Sequence, residues 1–409
     1  MSMLRRLTGF SLLPLIGILT PFILLPVVAR VGGAGGWAAI GVGQSVGIIG
    51  GVTTLWGWWI LGPARMSHLK VPRTKHALYV ESLQQRLIIF SVVAPVAGVV
   101  SSAFSDQPWA LTAGLMAVAG CSAGLSPSWY SVGEGRPLQM VLFDELPKAA
   151  AMAAAAILVW WTRTIWFYPA LLLISSTIPP IVFAWYLSRS AHRLRKPLAG
   201  VLRSIPAQAA VAGTNLLGTS YTATPVPVGS LLVTAPVLAP FVSAEKLYRL
   251  GTFTVKALGN AMQSWVLEGG VTRVKRQYAA VLAHLFLGIL GGALLTGLGP
   301  TLTKVLFGRE VAANYSECAA FGIAFLFVSL STPLTRNILV PAGITRLPLA
   351  AAACGACIGL PSMIGLGLTI GISGLAIGLA ISQALIFSIL IIPAYRCLRR
   401  KSASVALGA

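Results

Sequence analysis

Residues 241–265 read FVSAEKLYRLGTFTVKALGNAMQSW. This stretch decides how the chain is taken, because it places charge inside a run that its neighbours mark as membrane-buried. Glu245, Arg249 and Lys256 stand at i, i+4 and i+11, so at about 100° per residue they fall within roughly 40° of one another on a helix. One helical face is therefore ionic. A charged side chain at bilayer depth costs at least about 2.5–3.5 kcal/mol unless it faces a bundle interior or a water-filled cavity, so this face is expected to look inward on a cationic, wet lumen. A plainer reading stands beside it: Glu245 and Arg249 form a helical ion pair near one membrane surface while the lysines extend toward the headgroups.

The rest of the composition agrees with membrane burial. Of 409 residues, 56% are hydrophobic and only 10% charged, against roughly 25% charged in a soluble domain. Lys and Arg number 30 against 9 acidic residues, a formal charge of +21. In a soluble protein that excess would suggest nucleic acid, but here most of it lies in short loops between apolar runs, so no nucleic-acid partner is expected. The N-terminal MSMLRR and the apolar run after it lack a small-residue cleavage site and read as the start of a first transmembrane helix.

A bilayer core of about 30 Å needs roughly 20 apolar residues per helix. On that ruler the sequence divides into twelve spans, near residues 9–29, 37–61, 87–104, 109–128, 147–162, 165–187, 205–224, 234–264, 279–299, 316–334, 347–369 and 373–395. The softest boundary is the proline-rich TPVPVGSLLVTAPVLAP, between the seventh and eighth spans. With the N-terminus in the cytoplasm, 23 Lys and Arg fall on the cytoplasmic side. Arg86, Arg336 and the tail Arg396, Arg399, Arg400 and Lys401 are among them. Only four, Arg30, Arg163, Lys304 and Arg309, fall outside, and Lys246, Arg249 and Lys256 remain in the membrane. That asymmetry puts both termini in the cytoplasm.

The basic stretch SRSAHRLRKPLAGVLRS, residues 188–204, separates six spans from six. The expected organisation is an N-terminal lobe over 1–200, which carries this linker, and a C-terminal lobe over 201–409 with a short basic tail. Two six-helix halves with the substrate path between them are a recurrent transporter design. No nucleotide-binding loop of the G-x-x-x-x-G-K type is present, so ATP bound by this chain is not expected to drive it.

Candidates for enzymatic chemistry are few. Asp144 and Glu145 are adjacent, so on a helix they point about 100° apart and make no acid–base pair; with Lys148 they read as a helix-start charge cluster. His68, His76 and His192 belong to basic loops, while His284 lies alone in the ninth span. Cys354 and Cys357 form a C-x-x-C in AAACGACIGL with no histidine or carboxylate nearby, which favours small-residue helix packing over a metal or redox site. No metal, cofactor or catalytic residue is expected. The intramembrane cations carry more. Arg249 and Lys256, with Lys246 to one side and Arg30 at the end of the first span, are suited to neutralising an anionic head group such as a diphosphate. Arginine supplies a planar fork and lysine a mobile point charge, and Glu245 keeps the empty site from excessive positive charge. Glycines at 32, 33, 35 and 36 form a tight first turn, and GIIGG at 47–51 lets helices approach closely.

Several stretches resemble the polysaccharide flippases of the multidrug, oligosaccharidyl-lipid and polysaccharide exporter superfamily. The opening LPLIGILTPFILLPVVARVGGAGGWAAIGVGQSVG is similar to their first two helices, and SPSWYSVGEGRPLQMVLFDELPKAA to the aromatic-glycine loop after their fourth span. APFVSAEKLYRLGTFTVKALGNAMQSWV resembles their eighth helix, and VLFGREVAANY the extracellular loop after the ninth. The resemblance implies an all-α polytopic fold of two six-helix lobes forming a V around a central cavity. It also implies ATP-independent flipping of a polyprenyl-diphosphate-linked oligosaccharide from the inner to the outer leaflet of a bacterial plasma membrane. Arg30, Glu245, Lys246, Arg249 and Lys256 would then line or abut the lumen. Besides the lipid-linked glycan and the bilayer, a glycan polymerase or another assembly protein is an expected partner. The proline-rich 224–240 region departs from the family, where an acidic residue and a leucine-glycine turn are more usual.

The main rival is an ion-coupled multidrug or metabolite exporter of the same fold. It favours cationic substrates and needs buried carboxylates, whereas Glu245 is the one acidic residue that the sequence places clearly inside. An integral-membrane polymerase or acyltransferase would call for a catalytic histidine and carboxylate cluster, and the sequence has none.

Overall fold

The computed structural model describes residues 14–191, 197–268 and 272–407. The start of the first expected span, Arg5, Arg6, His192, Arg193, Arg195 and Lys196 lie outside these. Every described element is helical. Helix α1, Pro14–Leu55, joins the first two expected spans and is interrupted only at Gly33, where φ is 58° and ψ −163°. That conformation is essentially restricted to glycine, so Gly33 alone divides the helix. The second span stops at Leu55 instead of running to 61, because Trp56 and Gly57 both take positive φ before the short α2, Trp58–Ser67.

The third helix corrects the sequence reading. α3 spans Pro72–Ala103, not 87–104, with proline in its first turn, where the missing N–H costs nothing. Its polar first half is tolerated because tertiary partners satisfy it. Gln85 Oε1 accepts from Trp58 Nε1 at 2.6 Å and from Gln208 Nε2 at 3.2 Å. Arg86, expected in a loop, is 0% exposed and donates to the Gly124 and Ser126 carbonyls at 3.0 and 2.8 Å.

α4, Ala110–Ser122, tightens into a 3₁₀ turn at Ala123–Leu125 before α5, Ser128–Glu134. The expected aromatic-glycine loop is thus largely helical, and Trp129 and Tyr130 pack into a core with Trp58, Tyr79 and Phe183. After α6, Pro137–Met140, a π-helical turn, Val141–Glu145, leads into α7, Leu146–Thr162, and then α8, Phe167–Ala191. The short α9, Leu198–Ser204, lies within the linker stretch, and α10, Ala209–Ala223, is the seventh span. The proline-rich boundary forms a separate helix, α11, Pro225–Leu232. α12, Ala235–Leu267, and α13, Arg273–Phe307, follow, then α14, Tyr315–Pro333, which runs into a second π turn, Leu334–Leu339. α15, Arg346–Ile370, and α16, Ile372–Leu407, complete the series.

The chain forms two compact units, Met1–Ser230 and Leu231–Ala409. In the first, α1 packs on α3, α4, α7 and α10. Its contact with α4 is close because both sides are glycine: a Cβ on Gly47 would stand 2.8 Å from the Gly120 Cα. In the second, α13 packs on α14 and α15 on α16, while α12 lies against α13 and α14. On α15 the buried small residues are Ala351, Gly355, Ala356, Gly359 and Gly367, whereas Cys354 and Cys357 are exposed. The packing expected of the C-x-x-C is therefore done by its neighbours.

Among the described residues, eight helical segments are long and apolar enough to cross a membrane, the first of them, Ile23–Ser67, containing the Gly33 break. Their outer faces carry continuous apolar stripes, such as Val92, Val96 and Val99 on α3 and Leu282, Phe286 and Ile289 on α13, all more than half exposed. Apolar stripes of this extent belong against lipid rather than water. The chain is a multi-pass, all-helical membrane protein.

Candidate functional site

α12 is 33 residues long, about 50 Å at 1.5 Å per residue. Its apolar stripe faces α14, with Phe241 and Tyr248 each stacked near Phe321, at ring-centroid distances of 5.3 and 5.2 Å. Ser243 Oγ donates to the Val311 carbonyl at 2.6 Å, tying the same helix to the loop after α13. These contacts set the rotation of α12, whose charges lie between its eleventh and twenty-second residues.

The first three of those charges form one cluster. Glu245 and Lys246 are buried, at 4% and 6% exposure. Arg249 Nε donates to Glu245 Oε1 across one helical turn. Lys246 Nζ stands 3.5 Å from Glu245 Oε2, beyond hydrogen-bonding reach, and that oxygen accepts no hydrogen bond. Two cations therefore share one carboxylate, an arrangement with excess positive charge in low dielectric. Lys256, about two turns beyond Arg249, is exposed, and its Nζ lies 5.4 Å from the Phe253 ring centroid.

The structure thus brings Glu245, Lys246 and Arg249 together as an ion cluster, as the plainer sequence reading required of the first and last. Lys256 lies on the same helix outside it. Arg30 lies in the other unit, on α1 three residues before Gly33, and is exposed.

Two π turns carry charged groups. In the first unit Asp144 accepts from Ser126 Oγ and Ser128 Oγ, both at 2.6 Å, and from Lys148 Nζ at 2.5 Å. This is the charge cluster expected at the start of the fifth span. Burial acts to raise the Asp144 pKa, but the Lys148 charge and the serine hydrogen bonds outweigh it and hold the carboxyl below its ordinary value. In the second unit, the turn after α14 carries Arg336, taken in the sequence as one loop cation among many; it is half-buried. His284, expected to be a lone residue in its span, is 0% exposed and bonded through Nδ1 to the Ala280 carbonyl at 2.8 Å. A proline directly before LTRN was the one local sign that Arg336 sits at a helix irregularity and not in an open loop.

Among the described residues no group of three or more His, Cys, Asp or Glu is placed to hold a metal. Glu81, the third helix's acidic residue, is buried at 7% exposure, and Asp144 and Glu317 are buried besides Glu245. Glu81 was missed because the span was started at 87.

No protein-family model and no curated protein matches this chain. Solved structures do. Lipid II flippase MurJ in an inward closed conformation superposes with a TM-score of 0.72 at 11% identity, covering 99% of this chain and 91% of that one. An inward-facing multidrug resistance MATE family transporter of the MOP superfamily gives 0.64 at 13% identity, over 96% of both chains. The eukaryotic MATE transporter AtDTX14 gives 0.59 at 17% identity, over 98% of both. At these identities what is shared is the architecture, and over nearly its whole length this chain has the fold of the MATE and MurJ transporters.

Proposed function

We propose that this protein is a transporter, not an enzyme, and that it flips a polyprenyl-diphosphate-linked oligosaccharide from the cytoplasmic to the outer leaflet of a bacterial plasma membrane, for surface polysaccharide assembly. The observation that carries the reading is the excess of cation midway along α12, where Lys246 and Arg249 share the single carboxylate of Glu245. A diphosphate crossing a low-dielectric bundle must be neutralised at each stage, and this helix offers charge for it at several levels. In this scheme Arg249 and Lys256 take the phosphate oxygens, Lys246 adds charge beside them, Arg30 meets the head group from the first helix, and Glu245 balances the empty state. The 1–200 and 201–409 halves alternate access, both termini are cytoplasmic, and a glycan polymerase takes the product.

A second reading, an ion-coupled multidrug or metabolite exporter, draws support from Glu81, which adds a buried carboxylate to Glu245. Binding to the purified protein separates the two. Preferential binding of a polyprenyl-diphosphate oligosaccharide over a lipophilic cation, lost when Arg249 and Lys256 are replaced by Ala, supports the flippase. Binding of the cation, unaffected by those changes, overturns it.

A further inference from the structure

The turn between α7 and α8 gathers side chains that the proposed transport does not use. α7 ends at Thr162, and Arg163 takes the left-handed conformation, φ 56° and ψ 29°, as its N–H bonds to the Val159 carbonyl at 3.0 Å. Two residues on, Ile165 is buried against α1: a Cβ on Gly32 would stand 3.2 Å from its Cδ1, and one on Gly36 2.8 Å. Tyr168 Oη accepts from Gln44 Nε2 at 2.6 Å and fixes the start of α8 to the same helix. The turn is thus held firmly from one side.

Its other side is exposed. Along α7 the exposed face runs through Ala153, Ile157, Trp160 and Trp161, and Trp161 is 82% exposed. On α8 Ile174 and Ile178 are more than half exposed, and the exposed Trp166 precedes the helix, its ring stacked on Phe167 at a centroid distance of 4.4 Å. Both helices therefore carry aliphatic side chains along their length and tryptophan where they meet. Aliphatic, then tryptophan, then cation is the order a helix follows as it leaves hydrocarbon for the headgroup layer.

Arg163 supplies the cation. Its guanidinium carbon lies 4.9 Å from the Trp160 ring centroid, and among the described residues no carboxylate forms an ion pair with it. A guanidinium lying over an aromatic face keeps the N–H groups of its edge free for phosphate oxygens.

We propose that Trp160, Trp161 and Arg163 form a docking site for the headgroup of an anionic glycerophospholipid, in the outer leaflet by the charge asymmetry of the sequence. The tryptophans seat beneath the headgroup and the guanidinium takes the phosphate. Continuity with the exposed apolar faces of α7 and α8 favours a lipid over a soluble partner. Because Ile165 packs the same turn onto Gly32 and Gly36, on either side of Gly33, lipid bound there also braces the break in α1. The proposal does not depend on what the protein transports.

The test is tryptophan quenching of the full-length protein in vesicles of phosphatidylcholine and phosphatidylglycerol, with bromine on the chains of one lipid or the other. Subtracting the signal of the Trp160→Phe, Trp161→Phe double variant isolates the tryptophans of the site. Arg163→Asn removes the charge, and asparagine tolerates the left-handed backbone there; Lys304→Gln, at an exposed cation on α13, is the control. Thermal melting shows which variants are folded. We expect the site to select phosphatidylglycerol over phosphatidylcholine about fivefold, the effect of one basic residue at a charged membrane surface. Arg163→Asn is expected to abolish the selectivity and Lys304→Gln to keep it. Equal quenching by the two lipids in wild type would overturn the proposal, leaving a tryptophan belt without a site. Quenching by neither lipid, or unchanged selectivity in folded Arg163→Asn, would overturn it as well.

Discussion

Glu245 and Arg249, one helical turn apart on α12, form an ion pair whose carboxylate is 5% exposed and whose guanidinium is 26% exposed, with Lys246 Nζ 3.5 Å from the other carboxylate oxygen. Removing the acid leaves two cations in a poorly solvated setting. Breaking a buried pair from one side costs about 3–5 kcal/mol, because the remaining charge is uncompensated. Glu245→Gln is therefore expected to lower the melting temperature markedly in detergent. Glu245→Gln combined with Arg249→Gln is expected to recover part of the loss. Equal stability of wild type and the single variant would show that water reaches the pair.

Lys256 is exposed and outside that ion cluster, so its truncation tests transport without testing folding. A charge-assisted hydrogen bond contributes about 1.5–3 kcal/mol, which is about tenfold to a hundredfold in affinity. Lys256→Ala is expected to reduce binding of a diphosphate lipid by that factor and to abolish glycan export while leaving membrane insertion and the melting curve unchanged. Normal export in Arg249→Ala, Lys256→Ala and the double variant would remove the anion path altogether.

Asp144 joins the junction between α4 and α5 to the start of α7 through Ser126, Ser128 and Lys148. Its pKa is held below the ordinary carboxylate value in the folded protein. A depressed folded-state pKa stabilises above the unfolded value of about 3.9, and that contribution disappears as pH falls through the lower folded value. Melting temperature measured from pH 7 to pH 3 is expected to fall more steeply in wild type than in Asp144→Asn, which starts lower at pH 7. Parallel curves would mean that the serines, not the charge, hold the junction.

Gly33 divides α1 with a backbone conformation that side chains rarely adopt. Gly33→Ala is expected to cost about 1–3 kcal/mol, read as a lowered melting temperature, whereas Gly213→Ala, where a Cβ meets nothing within 4 Å, serves as the control. No difference between the two would show that the break moves to a neighbouring residue.

Transmembrane spans were legible because the bilayer imposes a length on apolar runs. The fifth span, expected at 147–162, is α7, Leu146–Thr162, and the eleventh, expected at 347–369, is α15, Arg346–Ile370. The GIIGG contact was legible too, since closely approaching helices demand small residues. Where the hydropathy ruler failed, as at 72–86, the residues were polar and yet buried. Nothing local says that Arg86 will find the Gly124 and Ser126 carbonyls, or Gln85 the Trp58 indole.

The sequence by itself determined that this chain is an all-helical membrane protein with cations on a face of its eighth span, because hydropathy and helical periodicity are properties of neighbouring residues. Only the tertiary structure decided which charges share a carboxylate and which polar side chains meet across elements. Glu245 and Arg249 meet within one helix, but Arg336 and His284 converge over Gly259 from separate elements far apart in the chain. Such encounters depend on how α12, α13 and α14 pack, and the sequence pattern of any one helix does not encode it.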